Sequence, residues 1–281
     1  MVESEIIYLP DNAIRMGYLN LIRNMAKTFS RNPWLFWHFM VRDFNATYKQ
    51  SYLGVFWAFA LPAMSVGIFT LLKGAGILSV GDVEGPYILF AVTGMVFWQI
   101  FSQGIIASTS ALTNAGWMIT RVNFPREILV FSAVAQSLVS FLIQLIILGI
   151  LFIWYRLTPP PTCVLLPVLI LPLILMTLGL GFILSVLNAV FRDVGLVISY
   201  LVMFLLFITP VFYAKKVHGF LGLISDYNPL YYLISVPRSL VITGITGDLV
   251  GYGLATFISV VIFFVGWMVF HLAGVRITER V

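Results

Sequence analysis

The chain has 281 residues, 60% of them hydrophobic and 10% charged, with a formal net charge of +5. A soluble domain carries about 25% charged residues, and a water-soluble globule of this length could not bury so much apolar surface; the composition excludes that class and points to several membrane crossings. The single cysteine, Cys163, excludes an internal disulfide and a cysteine-built zinc cluster, and reads as a small apolar residue near a helix start.

Residues 1–31 lack the continuous apolar core and small-residue cleavage site of a signal peptide, so the amino end is expected to stay in the cytoplasm. Two amphipathic helices are predicted first. In one, Ile14, Tyr18, Leu21, Ile22, Met25 and Phe29 fall at helical spacing, with Arg15, Arg23 and Lys27 on other faces. In the next, Asn32 is the expected N-cap with Pro33 in the first turn. Trp34, Trp37, Val41, Phe44 and Tyr48 then repeat at three- and four-residue intervals, and His38, Arg42, Asn45 and Lys49 take the polar side. A basic, aromatic helix ahead of a span lies in the headgroup plane. The pattern leaves open whether it is only an anchor or also a gate or docking element.

Six spans are predicted: 53–72, 87–109, 128–155, 164–190, 196–212 and 252–272. A hydrocarbon core of about 30 Å takes about 20 helical residues. The fifth segment is the shortest and ends in Thr209-Pro210, so a broken or incomplete span is expected there. The fold class is therefore an all-α polytopic membrane protein, with a cytosolic segment and interfacial helix over 1–52, a six-helix membrane domain over 53–272 and a cytosolic tail over 273–281. With the amino end inside, eleven of the sixteen basic residues fall on the cytosolic side; Lys73, Arg156, Lys215, Lys216 and Arg238 fall outside. This asymmetry places both termini in the cytoplasm. It also removes Asn45-Ala46-Thr47 as a glycosylation acceptor.

Among the connections, Lys73–Pro86 is a modest outer loop and Leu157–Thr162, with three consecutive prolines, a stiff outer turn. The stretch Asn114–Glu127, NAGWMITRVNFPRE, is a short polar and basic interruption on the cytosolic side. Tyr213–Gly251 is external yet largely apolar, and Pro229, Pro237 and several glycines interrupt any full span. Short re-entrant helices dipping into the outer leaflet satisfy both facts, because broken backbone is tolerated at depth only when packed in protein or lining a cavity.

No Asp, Glu, Lys or Arg lies inside any predicted span, which argues against ion-coupled transport and voltage sensing. His271 sits at a membrane edge as an interfacial or packed imidazole. His38, His218 and His271 lack metal-site spacing, and Asp82, Glu84, Asp226 and Asp248 read as solvated loop charges rather than an acid–base pair. No Gly-Lys dipeptide occurs, so the chain has no phosphate-cradling loop and does not hydrolyse ATP by itself. A conduit without its own energy source remains. Ser132, Gln136, Ser140 and Gln144 form an i, i+4 ladder; Gln99 and Gln103 repeat that spacing, and Tyr200, Phe204 and Phe207 make an aromatic stripe. These side chains suit the lining of a passage for an uncharged glycan. They equally suit helix-to-helix packing, where Ser and Gln act as glue.

The run from Arg42 to Trp57 (RDFNATYKQSYLGVFW) with Pro62 following resembles the entry segment of type-2 ABC-transporter permeases that export polysaccharides. So do Val122–Glu127 (VNFPRE), Phe191-Arg192-Asp193, Thr209–Tyr213 (TPVFY) and Asn228-Pro229-Leu230, in family order. The nearest likeness is to the permeases of O-antigen and teichoic-acid exporters. That resemblance implies a homodimer paired with two copies of an ABC ATPase, which bind ATP and Mg, while this chain binds no cofactor and no nucleic acid. It implies a bacterial inner-membrane protein that moves an undecaprenyl-diphosphate-linked polysaccharide from cytoplasm to periplasm, and is not itself an enzyme. Asn114–Glu127 would be the coupling helix, with Trp117, Arg121, Asn123, Phe124, Pro125, Arg126 and Glu127 facing the ATPase beside Arg192 and Asp193. Phe124 would plug a cleft of that partner. Arg42 and Lys49 would meet the lipid diphosphate, and residues 214–250 would form periplasmic gate helices carrying Asn228, Pro229, Tyr231 and Tyr232. An ABC exporter of another lipid or drug shares this architecture. A membrane enzyme acting on polyprenyl phosphates would instead need clustered acid, base or metal ligands.

Overall fold

The computed structural model describes residues 33–48, 56–77, 80–83, 85–119, 121, 124–214, 220–245 and 247–277, and every regular element among them is helical. In chain order these are α1 (Pro33–Tyr48), α2 (Phe56–Gly74), α3 (Tyr87–Thr109), α4 (Ala111–Asn114), α5 (Gly116–Ile119), α6 (Glu127–Trp154), a 3-10 turn (Pro161–Leu165), α7 (Leu166–Leu169), α8 (Leu171–Val190), α9 (Asp193–Ile208), α10 (Phe220–Tyr227), α11 (Pro229–Ile242) and α12 (Leu249–Ile277). Among the described residues, four stretches are long and apolar enough to cross a membrane: Tyr87–Thr109, Glu127–Trp154, Pro161–Val190 and Leu249–Ala273. The first amphipathic helix predicted, around Ile14 to Phe29, lies outside the described residues.

Prolines set several boundaries. Pro86 precedes α3 in an extended conformation, and α3 runs to Thr109 as the spacing predicts. The predicted span from Val164 is three pieces, because Pro161, Pro167 and Pro172 each open a new helical segment, with the joint before α8 at Ile170. Pro62 lies inside α2, which has 19 residues. Pro210 disfavours helical backbone at the residue before it, and Thr209 is extended with φ −79° and ψ 126°. The 16 residues of α9 therefore reach about 24 Å, short of a full crossing.

Helix α3 is enclosed by protein, with Leu89, Ala91, Phe97 and Ile100 wholly buried. Around it pack α6 and α8, then α11, α2 and α9. Helix α8 in turn packs along α12, and small residues allow it: a Cβ on Gly179 would stand 2.5 Å from the Ile262 carbonyl oxygen, and one on Gly266 would overlap the carbonyl of Gly179. Close backbone approach of this kind is how helices associate in lipid, where hiding apolar side chains from solvent contributes little. Beside this contact a cluster of rings joins α6, α8 and α12. Phe182 is T-shaped to Phe131 at 5.4 Å and stacked on Trp267 at 6.4 Å, and Phe270 lies 5.0 Å away. Outward faces of the same helices carry exposed Ile146, Ile150, Ile153, Trp154, Leu254 and Phe257. Only a hydrocarbon surround suits so much apolar surface.

Gly266→Val is expected to destabilise the fold by about 1–3 kcal/mol through overpacking. Gly149→Ala, where an added Cβ meets nothing within 4 Å, serves as the near-neutral control in the same thermal-unfolding measurement in detergent.

Candidate functional site

One end of the bundle collects the carboxyl ends of α3, α8 and α12 and the amino ends of α6 and α9. At the close of α3, Thr109 donates its hydroxyl to the Ile105 carbonyl at 2.7 Å and Ser108 donates to the same oxygen at 3.1 Å. The chain then makes α4, breaks at the buried Ala115, makes α5 and turns at Arg121. Asn114–Glu127 is thus not one continuous helix: α4 and α5 are one-turn helices, Phe124 and Pro125 are non-helical, and Glu127 already belongs to α6. Pro125 and the short polar residues before it explain the interruption. Asn123, and the side chain of Trp117, lie outside the described residues.

Arg121 is exposed, and Arg126 is half-buried at the N-cap of α6. Burial pushes the Arg126 guanidinium below its ordinary value, while the adjacent Glu127 carboxylate opposes the shift. Glu127 sits in the first turn of α6, where a carboxylate complements the helix dipole. Its Oε1 lies 2.8 Å from Nδ1 of His271, so the start of α6 is tied to the end of α12. Phe124 turns inward: its ring lies 5.4 Å from that of Phe39 on α1.

The turn between α8 and α9 faces α4. Asn188, near the end of α8, accepts from the Gly195 amide at 2.8 Å and donates to Thr113 Oγ1 at 3.4 Å. These bonds frame a cleft of about 750 Å³ lined by Ser110, Thr113, Asn188, Arg192 and Ser199 among others. Arg192 and Asp193 are exposed at this turn. Asn188 was not among the predicted residues. Its one signal was an amide at the end of an apolar run, four residues before Arg192.

Helix α1 is fastened to α6 at this same end. Asp43 accepts from Arg42 through Oδ1, at 2.9 Å from Nε and 2.7 Å from Nη2, and through Oδ2 from the buried Ser132 hydroxyl at 3.3 Å. The Arg42 guanidinium also lies 4.7 Å from the Phe39 ring centre. Arg42, predicted to face a lipid diphosphate, is therefore already paired, and Lys49 lies outside the described residues.

The predicted polar ladder packs inside the chain. Ser132, Ser140 and Gln144 are fully buried, Gln99 nearly so, and Gln103 and Gln136 are half-buried. Gln144 adjoins an apolar cavity of about 450 Å³ between α2, α3 and α6. The aromatic stripe behaves in the opposite way: Tyr200, Phe204 and Phe207 are 73%, 66% and 52% exposed along one face of α9. At the far end of that stripe Phe69 of α2 stacks on Phe212 at 3.9 Å. Asn228 caps α11 by accepting from the Leu230 amide at 3.0 Å, with Pro229 at the first helical position. The rings of Tyr231 and Tyr232 are 5.0 Å apart, and the Tyr232 hydroxyl donates to the Asp226 carbonyl at 3.1 Å.

The ABC-2 type transporter family is matched over residues 35–242. The chain is similar to an O-antigen export system permease protein, RfbA, of Myxococcus xanthus, at 31% identity over 61% of this chain and 65% of that protein. It therefore spans just under two thirds of that relative. Two permease proteins of the same name from Klebsiella pneumoniae are 27% identical over 85% of this chain and 91% of theirs, and 28% identical over 73% and 78%.

Removing the Glu127–His271 contact by Glu127→Ala, by His271→Ala and by both together is expected to show a coupling of about 0.5–1.5 kcal/mol in a double-mutant cycle read by thermal unfolding. Strict additivity would mean that the contact does not hold α6 to α12.

Proposed function

The chain belongs to the ABC-2 type transporter family, and from that premise we propose that it is the membrane permease of an ABC exporter that moves lipid-linked polysaccharide of the O-antigen kind out of the cytoplasm, driven by a separate ATPase. The relatives' names support the cargo class. The observation that carries the coupling half is the cleft at one end of the bundle, where Asn188 joins the α4–α5 segment to the α8–α9 turn. A push on either segment reaches both.

In this reading six segments cross the inner membrane, α2 and α9 joining the four long helices, with the residues after the α9 break completing its crossing, and both termini are cytoplasmic. The α10–α11 pair dips into the outer leaflet as the exit gate, with Asn228, Pro229, Tyr231 and Tyr232 at the start of α11. Two ATPase subunits close on ATP and Mg and press on α4–α5 and on Arg192 and Asp193. Arg121, Pro125, Arg126 and Glu127 lie on or beside that contact, and Trp117 and Asn123 are assigned to it from the sequence alone. Phe124 acts by bracing the segment against α1 rather than by plugging the partner. Two copies of the chain enclose the path, and the exposed Tyr200, Phe204 and Phe207 offer ring faces to pyranose C–H groups along it. Gln103 and Gln136 contribute amides at its edge, while Gln99, Ser132, Ser140 and Gln144 hold helices together. Arg42, its charge partly answered by Asp43, meets the arriving lipid diphosphate, and Lys49 is assigned to the same role from the sequence alone. The burial of the Ser and Gln ladder leaves a mostly aromatic surface on α9, which also suits an ABC exporter of another lipid or drug. The compound that accumulates when the chain is removed separates the two readings.

Coexpressed with its ATPase, the chain is expected to copurify and to support vanadate-sensitive hydrolysis. Arg121→Glu and Arg126→Glu should each lower retention of the partner about tenfold, or about 1.4 kcal/mol. Unchanged assembly and hydrolysis in both variants would refute this docking site.

A further inference from the structure

Arg238 lies in the third turn of α11 and is only 4% exposed, although a basic residue in this outer segment reads from sequence as a solvated charge. Its Nη1 donates to the carbonyl oxygens of Pro210 at 3.2 Å and Val211 at 3.0 Å. Its guanidinium carbon lies 3.8 Å from the centre of the Phe90 ring on α3. The carbonyls it meets follow the point where α9 breaks. Pro210 has no amide hydrogen and Thr209 is extended, so the helical hydrogen-bond ladder stops there. In an apolar surround, carbonyls released in this way need partners within the protein. A guanidinium, with five donors in a planar fork, is well matched to several carbonyls at once and to a ring face.

Two neighbours tighten the arrangement. On α3, a Cβ at Gly94 would stand 2.7 Å from the Val211 carbonyl oxygen and 3.1 Å from Arg238 Nη1, so glycine lets the break seat against the enclosed helix. At the opposite end of α11, Asn228 donates from Nδ2 to Thr209 Oγ1 at 2.9 Å. Residues 209, 210 and 211 are thus gripped by side chains from both ends of one helix.

We infer that Arg238 is a positioning residue that locks α11 to the break of α9, so that the two move as one body at the outer mouth. The consequence for export rests on the proposed function; the lock itself does not. Substituting Cys163→Ser gives a thiol-free background for two reporters at wholly buried positions: Val211→Cys at the break and Phe97→Cys in the α3 core. Arg238→Met removes the donors at similar length, and Arg238→Lys restores a cation. In membranes treated with a small maleimide, Arg238→Met should speed labelling at Val211→Cys by about tenfold, as expected for local opening. Arg238→Lys should recover part of the protection, and Phe97→Cys should stay protected throughout. Unchanged labelling at Val211→Cys, or equal opening of both reporters, would overturn the lock.

In the assembled transporter, Arg238→Met should keep ATP hydrolysis and lose export by about tenfold, equivalent to about 1.4 kcal/mol. Normal export with an opened break would overturn the claim that the two elements move together. Labelling that responds as expected, in a chain whose unsubstituted form exports no polysaccharide, would instead refute the cargo reading and leave the lock standing.

Discussion

The enclosure of α3 sets the positions of the other long helices. Two glycines on it act as seats. Gly94 receives the break after α9, and at Gly104 an added Cβ would stand 2.5 Å from Cγ2 of Thr177 on α8 and 3.3 Å from the Ser137 hydroxyl on α6. Farther along, Ser108 of α3 crowds Gly181 of α8. Each contact uses a small residue to bring backbones together, which is the means available to helices whose apolar side chains gain little by leaving lipid. Helix α12 then rests on α8 by the same device at Gly179 and Gly266. With that frame in place, the short segments at one end bury Leu112, Ala115 and Ile119 against it, α11 at the other buries Leu230, Leu233, Ile234 and Val241, and hydrogen bonds then fix how each is seated.

Those two ends differ in how they are held. At one, the exposed Arg192 lines a cleft whose frame is amide and hydroxyl, with the Glu127–His271 and Asp43–Ser132 contacts fastening α12 and α1 to α6. Exposed or half-exposed ionic pairs such as Arg42–Asp43 contribute little stability. Their geometry matters more, because it fixes which charges remain available to a partner. At the other end a buried guanidinium and an asparagine grip three consecutive residues, an arrangement whose geometry is specific and whose loss leaves polar groups uncompensated.

Helix boundaries were legible at several prolines and polar clusters that punctuate apolar runs, though Pro167 and Pro172 split what read as one span from Val164. Tyr87–Thr109 came out at its predicted limits, and the Thr209-Pro210 signal marked the end of α9 one residue beyond Ile208. The interior of the segment 114–127 was less legible, because two single turns and a coil have the same composition as one amphipathic helix. Periodicity put Ser132, Ser140 and Gln144 on one face, but it carries no information about which neighbour covers that face, and their burial inside the chain followed from α1, α2 and α3. Phe124 meeting Phe39, Asp43 meeting Ser132 and Arg238 meeting Pro210 and Val211 are contacts between distant segments, so no local pattern announces them. Counting Arg238 only as an outer-side cation missed that its charge is turned into the protein.

In the proposed reading the chain draws its energy from a separate ATPase that docks at the cleft on one end of the bundle, and that dependence is the core of the account. Sealed vesicles carrying this chain and its ATPase, oriented with the periplasmic face inside and supplied with lipid-linked polysaccharide, test it most directly. The account predicts polymer protected in the lumen when ATP is added, and none with vanadate or without the ATPase. Polymer that stays accessible outside while ATP is hydrolysed, or that enters without the ATPase, would contradict it.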